Sequence, residues 1–450
     1  MRKLFGTDGI RGVAGQYPLD TDTVFRIGSA LGHHLKVNGP VRVVIGQDTR
    51  ESSEWIANTL TAGLESAGAE AISAGVVTTP AVAYLARTEG FAAGVVISAS
   101  HNPWMDNGIK IFGHDGFKLP DATELEIENE IFSQIKNGSS PKGVMRKGSL
   151  PGEHNLAEKY EHWLAEFERG VDMSSFKLVV DCANGAASAV APELFPLLGM
   201  TRTVFTHVSP NGRNINDHCG ALHPEVVAKE VVEQRAEMGV CFDGDADRAL
   251  FADHTGQIIN GDAVLLLIAR EMKARGVLKA NTVVATTMSN MGLEAALKRE
   301  GITMLRAPVG DKYVLEEMQK IGAVLGGEQS GHIIFSDLAT TGDGLLTALK
   351  VTEVVAKSGK RLAELVRDMQ VYPQVIKNVR VREKRPLEQI SEVAMTIAAA
   401  NHDLRDEGRV VVRYSGTEAL CRVMIEAASE EKMNLHADAI AGAIKKSIGV

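Results

Sequence analysis

Apolar residues along this chain come in short runs that stop abruptly at small or polar residues. Each run is followed by a stretch whose apolar positions are spaced for one face of a helix. Val41-Arg-Val-Val-Ile45 is the first such run, and Ile56, Leu60 and Leu64 follow it at four-residue spacing. Leu178-Val-Val-Asp181 and Thr282-Val-Val-Ala-Thr286 open two further copies. The short runs read as buried strands and the four-residue spacing as helices. Further along each copy a second apolar strand ends in a loop crowded with polar residues. These loops are Ser98-Ala-Ser100-His101-Asn102, Asp243-Gly-Asp245-Ala-Asp247-Arg248 and Glu328-Gln-Ser330-Gly-His332. In the first, Gly94 to Ile97 is the strand, and Pro103, which lacks an N–H, cannot extend a ladder. Ser100 is therefore placed at a strand's carboxyl end, where α/β sheets bind ligands.

Strands alternating with helices predict parallel pairing, and three copies of one layout predict three similar domains. If the copies face one another, their loops meet in one cleft. Turn-rich composition from Asn137 to Gly152 marks the end of the first copy, and His254 to Gly261 reads as a hairpin or connection into the third. From Val371 the pattern changes. Val375 to Arg382 alternates as a strand, Leu387 to Ala400 reads as a helix, Arg409–Val412 and Arg422–Ile425 as strands, and a last helix ends near Ile448. The expected fold class is α/β: three similar α/β domains with mixed sheets plus a smaller C-terminal α+β domain around a central cleft. The expected divisions are 1–153, 154–254, 255–370 and 371–450. Residues 4–15 are too rich in Gly for a regular element and read as a tight loop presenting Arg11. A helix follows, with Val24, Ile27, Leu31 and Leu35 on one face and His33 and His34 at the surface.

Composition narrows the class. A chain of 450 residues is too long for one core and predicts about three domains. Its hydrophobic content of 44% and charged content of 23% are those of a globular protein. No apolar run is long enough to cross a bilayer, and Met1-Arg-Lys-Leu-Phe-Gly-Thr lacks a signal core, so a cytosolic location is expected, with no membrane partner. The four cysteines, Cys182, Cys219, Cys241 and Cys421, form no C-x-x-C pair and read as reduced, buried thiols. The net charge of −9 argues against a nucleic-acid partner, while a local cluster of Arg and Lys can still hold phosphate. Oligomeric state stays open, a homodimer included.

Asp243, Asp245 and Asp247 are the sharpest chemical signal. Three carboxylates at alternate positions of one loop repel one another unless a counter-charge is supplied. A hard divalent cation such as Mg²⁺, which takes oxygen ligands, supplies it and leaves room for a phosphate. An EF-hand does not fit: counted from Asp243, the glycine position is Arg248 and the glutamate position is His254. Arg413-Tyr-Ser415-Gly416-Thr417-Glu418, with Arg422 beyond, combines a guanidinium, hydroxyls and a Gly N–H that suit a dianion. Glu328 and Ser330 offer an acceptor and a donor suited to neighbouring sugar hydroxyls, with His332 beyond.

Together Ser98-Ala-Ser-His-Asn-Pro103, Asp243-Gly-Asp-Ala-Asp-Arg248, Gly327-Glu-Gln-Ser-Gly-His332 and Arg413-Tyr-Ser-Gly-Thr-Glu418 resemble the motifs of the α-D-phosphohexomutase superfamily, in that family's order and across essentially the whole chain. Phe5-Gly-Thr-Asp-Gly-Ile-Arg-Gly12, Gln329 and Asn214-Ile-Asn216…Cys219-Gly220…His223-Pro-Glu225 resemble its branch that acts on glucosamine phosphates. The resemblance implies interconversion of glucosamine 6-phosphate and glucosamine 1-phosphate through a phosphoserine and a 1,6-bisphosphate, on the route to UDP-N-acetylglucosamine. It implies Ser100 as the phosphoserine, and Ser100, Asp243, Asp245 and Asp247 as ligands of Mg²⁺. Arg11 and Arg248 would stabilise the transferring group, and Lys110 and His332 would be acid and base in an order left open. Glu328 and Ser330 would hold sugar hydroxyls, and Val309, Gly310 and Asp311 would form the sugar-orientation loop. Arg413, Ser415, Gly416, Thr417 and Arg422 would grip the distal phosphate. Glucosamine 1,6-bisphosphate is the implied priming activator. The family more often has Thr at position 98, Gly at 246, and Pro at 414 and 419, where this chain has Ser98, Ala246, Tyr414 and Ala419. A phosphomannomutase/phosphoglucomutase is the alternative, followed by a phosphoserine-forming sugar phosphatase.

Overall fold

A computed structural model of the chain describes residues 4–36, 41–138, 150–153, 155–167, 171–415 and 419–450. The turn-rich stretch expected after Asn137 lies largely outside them. Two compact units result, one of Met1–Thr286 with Met304–Arg367 and one of Thr287–Thr303 with Asp368–Val450.

The first unit holds three sheets. The first contains β1 (Ile10–Val13), β2 (Val41–Gln47), β3 (Ala69–Val76), β4 (Ala93–Ile97) and β5 (Asp106–Gly113), in the order β1-β5-β4-β2-β3. β2 pairs parallel with β3 and β4, whereas β5 pairs antiparallel with β4 and β1. The second contains β6 (Leu178–Asp181), β7 (Val204–Thr206), β8 (Met238–Phe242), β9 (Ala249–Asp253) and β10 (Ile258–Ile259), in the order β10-β9-β8-β6-β7. It repeats the plan, with β6 parallel to β7 and β8, and β9 antiparallel to β8 and β10. The third contains β11 (Thr282–Thr286), β12 (Thr303–Ala307), β13 (Leu325–Gly327) and β14 (Ile333–Phe335), in the order β12-β11-β13-β14, with β11 parallel to β13 and β13 antiparallel to β14. The sheets are thus mixed. Each conspicuous polar loop is the turn of a hairpin, between β4 and β5, β8 and β9, or β13 and β14.

The Gly-rich segment 4–15, expected to be a loop, contains β1. Ile10 is fully buried against the core of the first sheet, and β5 supplies a complete antiparallel partner from Ile109 to Asp106. Edge pairing tolerates the weak strand preference of glycine when one side chain is buried this deeply. Other expectations hold: helix Thr21–Leu35 follows, capped by Asp20, whose side chain accepts from Thr23 N, with His33 exposed and His34 partly so.

Helices Thr21–Leu35 and Ser53–Ser66 cross at contact distance. A Cβ on Gly28 would lie 2.0 Å from Leu60 O, and one on Gly63 would lie 2.0 Å from Phe25 O. The helices rest on each other's backbones, which orients the loop between β2 and the second helix.

In the second unit β15 (Gln374–Arg380), β16 (Gly408–Tyr414) and β17 (Leu420–Ala427) form an antiparallel sheet in the order β15-β17-β16. Helices Ser391–Leu404 and Glu430–Ile448 bury Val393, Leu404, Met433, Ile440 and Ile444 against it. The helix expected from Leu387 is split: Leu387–Gln389 is a single 3₁₀ turn and the α-helix starts at Ser391. Helix Met291–Arg299 joins this unit through Met291 N, 3.1 Å from Glu426 Oε1. No described helix is long and apolar enough to cross a membrane, and all four cysteines are free and buried.

Gly28→Val would force a side chain into the Leu60 carbonyl. Overpacking of this kind costs about 1–3 kcal/mol or more, so the thermal midpoint should fall by several degrees. An unchanged midpoint would show that the two helices separate freely.

Candidate functional site

The three hairpin turns of the first unit converge. Ser100, just beyond β4, adopts the left-handed conformation with φ 54° and is 1% exposed. Ser98 Oγ accepts from Ser100 N at 2.9 Å, so the serine here keeps the hydroxyl a threonine would supply. Ser100 Oγ in turn donates to Asp243 Oδ2 at 2.5 Å. The β8–β9 turn presents Asp243, Asp245 and Asp247, all buried, with carboxylate oxygens within 4.8 Å of one another. Ala246, between two of them, has φ 54°, the region L side chains disfavour, which accounts for glycine being usual there.

Lys110, on β5, is buried and places Nζ 2.7 Å from Asp245, 3.0 Å from Asp247 and 2.9 Å from Asp8. Burial opposes its charge, but Asp245, Asp247 and Asp8 together hold its pKa well above the ordinary lysine value. Asp247 is driven the other way: burial raises it, and Lys110 and His332 outweigh burial and keep it ionised. Asp243, by contrast, is pushed up to about 7 by burial and by Asp247 and Asp245.

The β13–β14 turn contributes Glu328, Ser330 and His332. His332 Nδ1 lies 2.8 Å from Glu328 Oε2, and Nε2 lies 2.8 Å from Asp247 Oδ1. A carboxylate on each nitrogen fixes the ring as an imidazolium. Burial works against that charge, yet Asp247 chiefly raises His332 to about 10. Arg248 Nε, 3.2 Å from His332 Nε2, therefore faces another donor and makes no hydrogen bond there. Glu328, despite burial, falls to about 2 because of His332. Its Oε1 accepts from Gly310 N at 2.9 Å, and Ser330 Oγ reaches Oε2 at 3.3 Å. Asp311 is held by Lys118 Nζ at 2.7 Å, which also reaches Asp8 at 2.6 Å.

Arg11, Asp8, His101, Arg248, Val309, Gly310, Asp311, Glu328 and His332 line a cavity of about 370 Å³. Its lining carries cationic Arg11 and Arg248 together with anionic Asp8, Asp311 and Glu328, a mixture that suits a phosphorylated polyol. His101 Nδ1 lies 3.4 Å from Ser100 Oγ. Burial, then Arg248 and Arg11, push its pKa down to about 4, so this ring is neutral.

The donor set around Asp243 fits a divalent cation. Asp245 Oδ1 is buried and has no hydrogen-bond partner among the described residues, and the triad gathers three carboxylate oxygens within 4.8 Å of one another.

In the second unit Arg413 and Arg422 sit opposite each other on β16 and β17. With Met288, Ile376, Asn378, Val411 and Met424 they line a concavity of about 380 Å³. Like charges directly across a strand pair are unfavourable, which suits an anion at that place. Ser415 is buried, and Lys384 Nζ donates to its carbonyl at 2.6 Å. Gly416 and Thr417 lie outside the described residues.

Several contributors had no role in the sequence reading. Asp8 and Lys118 join the charge network, and Thr79 Oγ1 donates to Asp245 Oδ2 at 2.5 Å. Arg50 and Asn216 bind the carbonyls of the Ser100 loop. Arg50 stood in a strand-end loop, the same signal that marked Ser100. Nothing local marked Thr79.

His332 provides a pH test. Its pKa rises on folding from 6.5 to about 10. The stability it contributes is therefore complete below pH 6.5 and is lost as pH rises through about 10. The stability difference between the protein and His332→Gln, measured by urea unfolding in chelator, should be on the order of 5 kcal/mol at pH 6 and shrink toward pH 10. A difference that grows over that range would refute the imidazolium assignment.

Comparison with known proteins supplies the context for this geometry. Four phosphoglucomutase/phosphomannomutase models match in order: alpha/beta/alpha domain I at residues 2–138, domain II at 160–256, domain III at 260–372 and the C-terminal domain at 376–443. A phosphoglucosamine mutase from Koribacter versatilis is 61% identical over 100% of this chain and 98% of its own. A phosphoglucomutase/phosphomannomutase family protein from Burkholderia thailandensis, 25% identical, superposes with a TM-score of 0.81 over 100% of both chains. An Aspergillus fumigatus N-acetylphosphoglucosamine mutase in complex with GlcNAc-6P and magnesium shares the fold at 18% identity and a TM-score of 0.63, over 100% of this chain and 96% of that one.

Proposed function

The chain belongs to the phosphoglucosamine mutase family of isomerases, and from that premise we propose that it interconverts glucosamine 6-phosphate and glucosamine 1-phosphate through a phosphorylated Ser100. The observation that carries this reading is the seat of Ser100 Oγ, 2.5 Å from Asp243 Oδ2 in a buried acidic triad. The adjoining cavity has walls of both charges.

Phosphoserine 100 would transfer its phosphoryl group to O1 of glucosamine 6-phosphate. The Oγ–P bond breaks as the O1–P bond forms, which gives the 1,6-bisphosphate. After the sugar turns over, the 6-phosphoryl group returns to Ser100 and glucosamine 1-phosphate leaves. The same bisphosphate would prime an unphosphorylated chain. Asp243, Asp245, Asp247 and the Ser100 phosphate would hold Mg²⁺, which when bound supplies Lewis-acid stabilisation of the phosphoryl oxygens. Arg11 and Arg248 would face the transferring group, where fixed positive charge lowers the barrier most. Lys110 and His332 would be acid and base: one gives a proton to the departing oxygen, and the other, protonated in the unliganded site, takes the proton of the attacking hydroxyl after losing its own. His101, neutral and with Nδ1 3.4 Å from Ser100 Oγ, would accept the Ser100 proton in the step that rephosphorylates the serine. Glu328 and Ser330 would hold sugar hydroxyls, with Val309, Gly310 and Asp311 orienting the ring. Arg413, Ser415, Gly416, Thr417 and Arg422 would be the set for the non-reacting phosphate.

One preparation assayed on the 6-phosphates of glucosamine, glucose, mannose and N-acetylglucosamine should turn over glucosamine 6-phosphate with the highest kcat/KM. Ser100→Ala should retain sugar phosphate binding and lose at least about a thousandfold in turnover. Preference for glucose or mannose 6-phosphate would make the chain a phosphoglucomutase or phosphomannomutase instead. An alanine variant with normal turnover would remove Ser100 from the reaction.

Asp245→Asn removes a charge from the triad without changing its shape. Mg²⁺ affinity, followed by calorimetry, should fall at least about tenfold, with the far-ultraviolet circular dichroism unchanged. Undiminished affinity would place the cation elsewhere.

A further inference from the structure

The loop that follows β2 has no part in the chemistry above, yet its guanidinium reaches the backbone of the turn that carries Ser100. Arg50 is 2% exposed and Asp48 1%. Arg50 Nη1 pairs with Asp48, whose Oδ1 also accepts from Arg50 N at 3.0 Å and from Ser53 Oγ at 2.9 Å. Nη2 donates to the carbonyl of Ser100 at 3.1 Å and to that of Asn102 at 2.6 Å. Asn216, 7% exposed, comes from the segment that follows β7. Its Nδ2 donates to the same two carbonyls, at 2.9 Å and 3.3 Å. On a third side Gly244 closes in, since a Cβ there would lie 2.5 Å from Ser100 O.

Two side chains from different sheets therefore grip two carbonyls of one short turn. Ser100 has the φ of 54° that L residues disfavour, and such conformations persist only where surroundings over-determine them. With its N–H on Ser98 and its carbonyl in this clamp, little freedom remains at Ser100. Its Oγ is aimed at Asp243. Neither Arg50 nor Asn216 lines the sugar cavity.

We propose that Arg50 and Asn216 are positioning residues for phosphoryl transfer, which hold the carbonyls of Ser100 and Asn102 so that the Ser100 hydroxyl stays at the acidic triad. This rests on Ser100 being the phosphoryl carrier. The effect belongs to kcat, because in-line transfer depends steeply on the placement of the nucleophile, while KM for the sugar phosphate depends on other groups.

Asn216→Gly suits the test: glycine accepts the φ of 58° at this position and removes both amide bonds. Arg50→Lys keeps a cation beside Asp48 but cannot fork to two carbonyls as well. The probe is glucose 1,6-bisphosphate added to dephosphorylated protein. In that step the sugar O–P bond breaks, the Oγ–P bond forms, and the serine proton passes to the departing sugar oxygen. Phosphorylation is followed by intact mass, and turnover by steady-state assay. Each variant should slow phosphorylation and lower kcat at least about tenfold, with KM unchanged within about twofold. Arg50→Lys should retain more activity than Arg50→Met. Wild-type rates in Asn216→Gly, or a loss confined to KM, would overturn the proposal. If Arg50→Lys fails to fold, Asn216→Gly still decides. If the unsubstituted protein takes no phosphate at Ser100 under these conditions, the mutase reading itself falls; uptake there with unaffected variants would sink the positioning role alone.

Discussion

The site depends on a chain of alternating opposite charges. Glu328 meets His332, His332 meets Asp247, Asp247 meets Lys110, Lys110 meets Asp8, Asp8 meets Lys118, and Lys118 meets Asp311. The N–H of Gly310, next to Asp311, returns to Glu328. Each member apart from Asp8 is nearly or wholly buried. Desolvating any one alone would cost several kcal/mol, and its removal would leave neighbours uncompensated. This series takes residues from all three sheets of the first unit, so it forms only when those sheets are brought together. Its charges also decide the protonation states on which the chemistry rests.

The recurrence of one hairpin explains how three loops reach one place. In each copy a parallel strand runs to its carboxyl end, turns through the polar residues and returns antiparallel. The parallel strand is buried on both faces, so the turn is the first point at which polar side chains can be presented. Lys110 shows the complementary use of the returning strand: β5 carries its ammonium back beneath the β8–β9 turn. Phosphoryl transfer asks for fixed charge around a moving group, and rigid strand ends supply it better than long loops.

Much of this was legible from residue order. The strand runs beginning at Val41, Leu178 and Thr282, the turns holding Ser100, Asp243 and Glu328, and the change of pattern after Val371 all follow from local periodicity. An apolar strand needs a partner wherever it sits, and a polar turn ends it wherever it sits. β1 was missed because its evidence is not local: a Gly-rich edge strand is held by β5, far along the chain. Sequence likewise identified an acidic triad that calls for a counter-charge. It left open which of Lys110 and His332 is the acid and which the base, because a charge state is set by distances. Lys110 Nζ lies 2.7 Å from Asp245, and His332 has a carboxylate on each nitrogen; both are held protonated.

Residue order by itself determined the chemical inventory, namely a serine at a strand end, three alternating carboxylates, a carboxylate–hydroxyl pair and an arginine-bearing turn. These are properties of neighbours a few positions apart. Tertiary structure alone decided which members of the inventory act on one another. Thr79 reaching Asp245, Lys118 joining Asp8 to Asp311, and Arg50 and Asn216 sharing the carbonyls of one turn are contacts between residues distant in the chain. The reason is physical. Hydrophobic periodicity is written every two to four residues, whereas hydrogen bonding and Coulombic attraction between buried groups depend on separations of about 3 Å that only the packed sheets define.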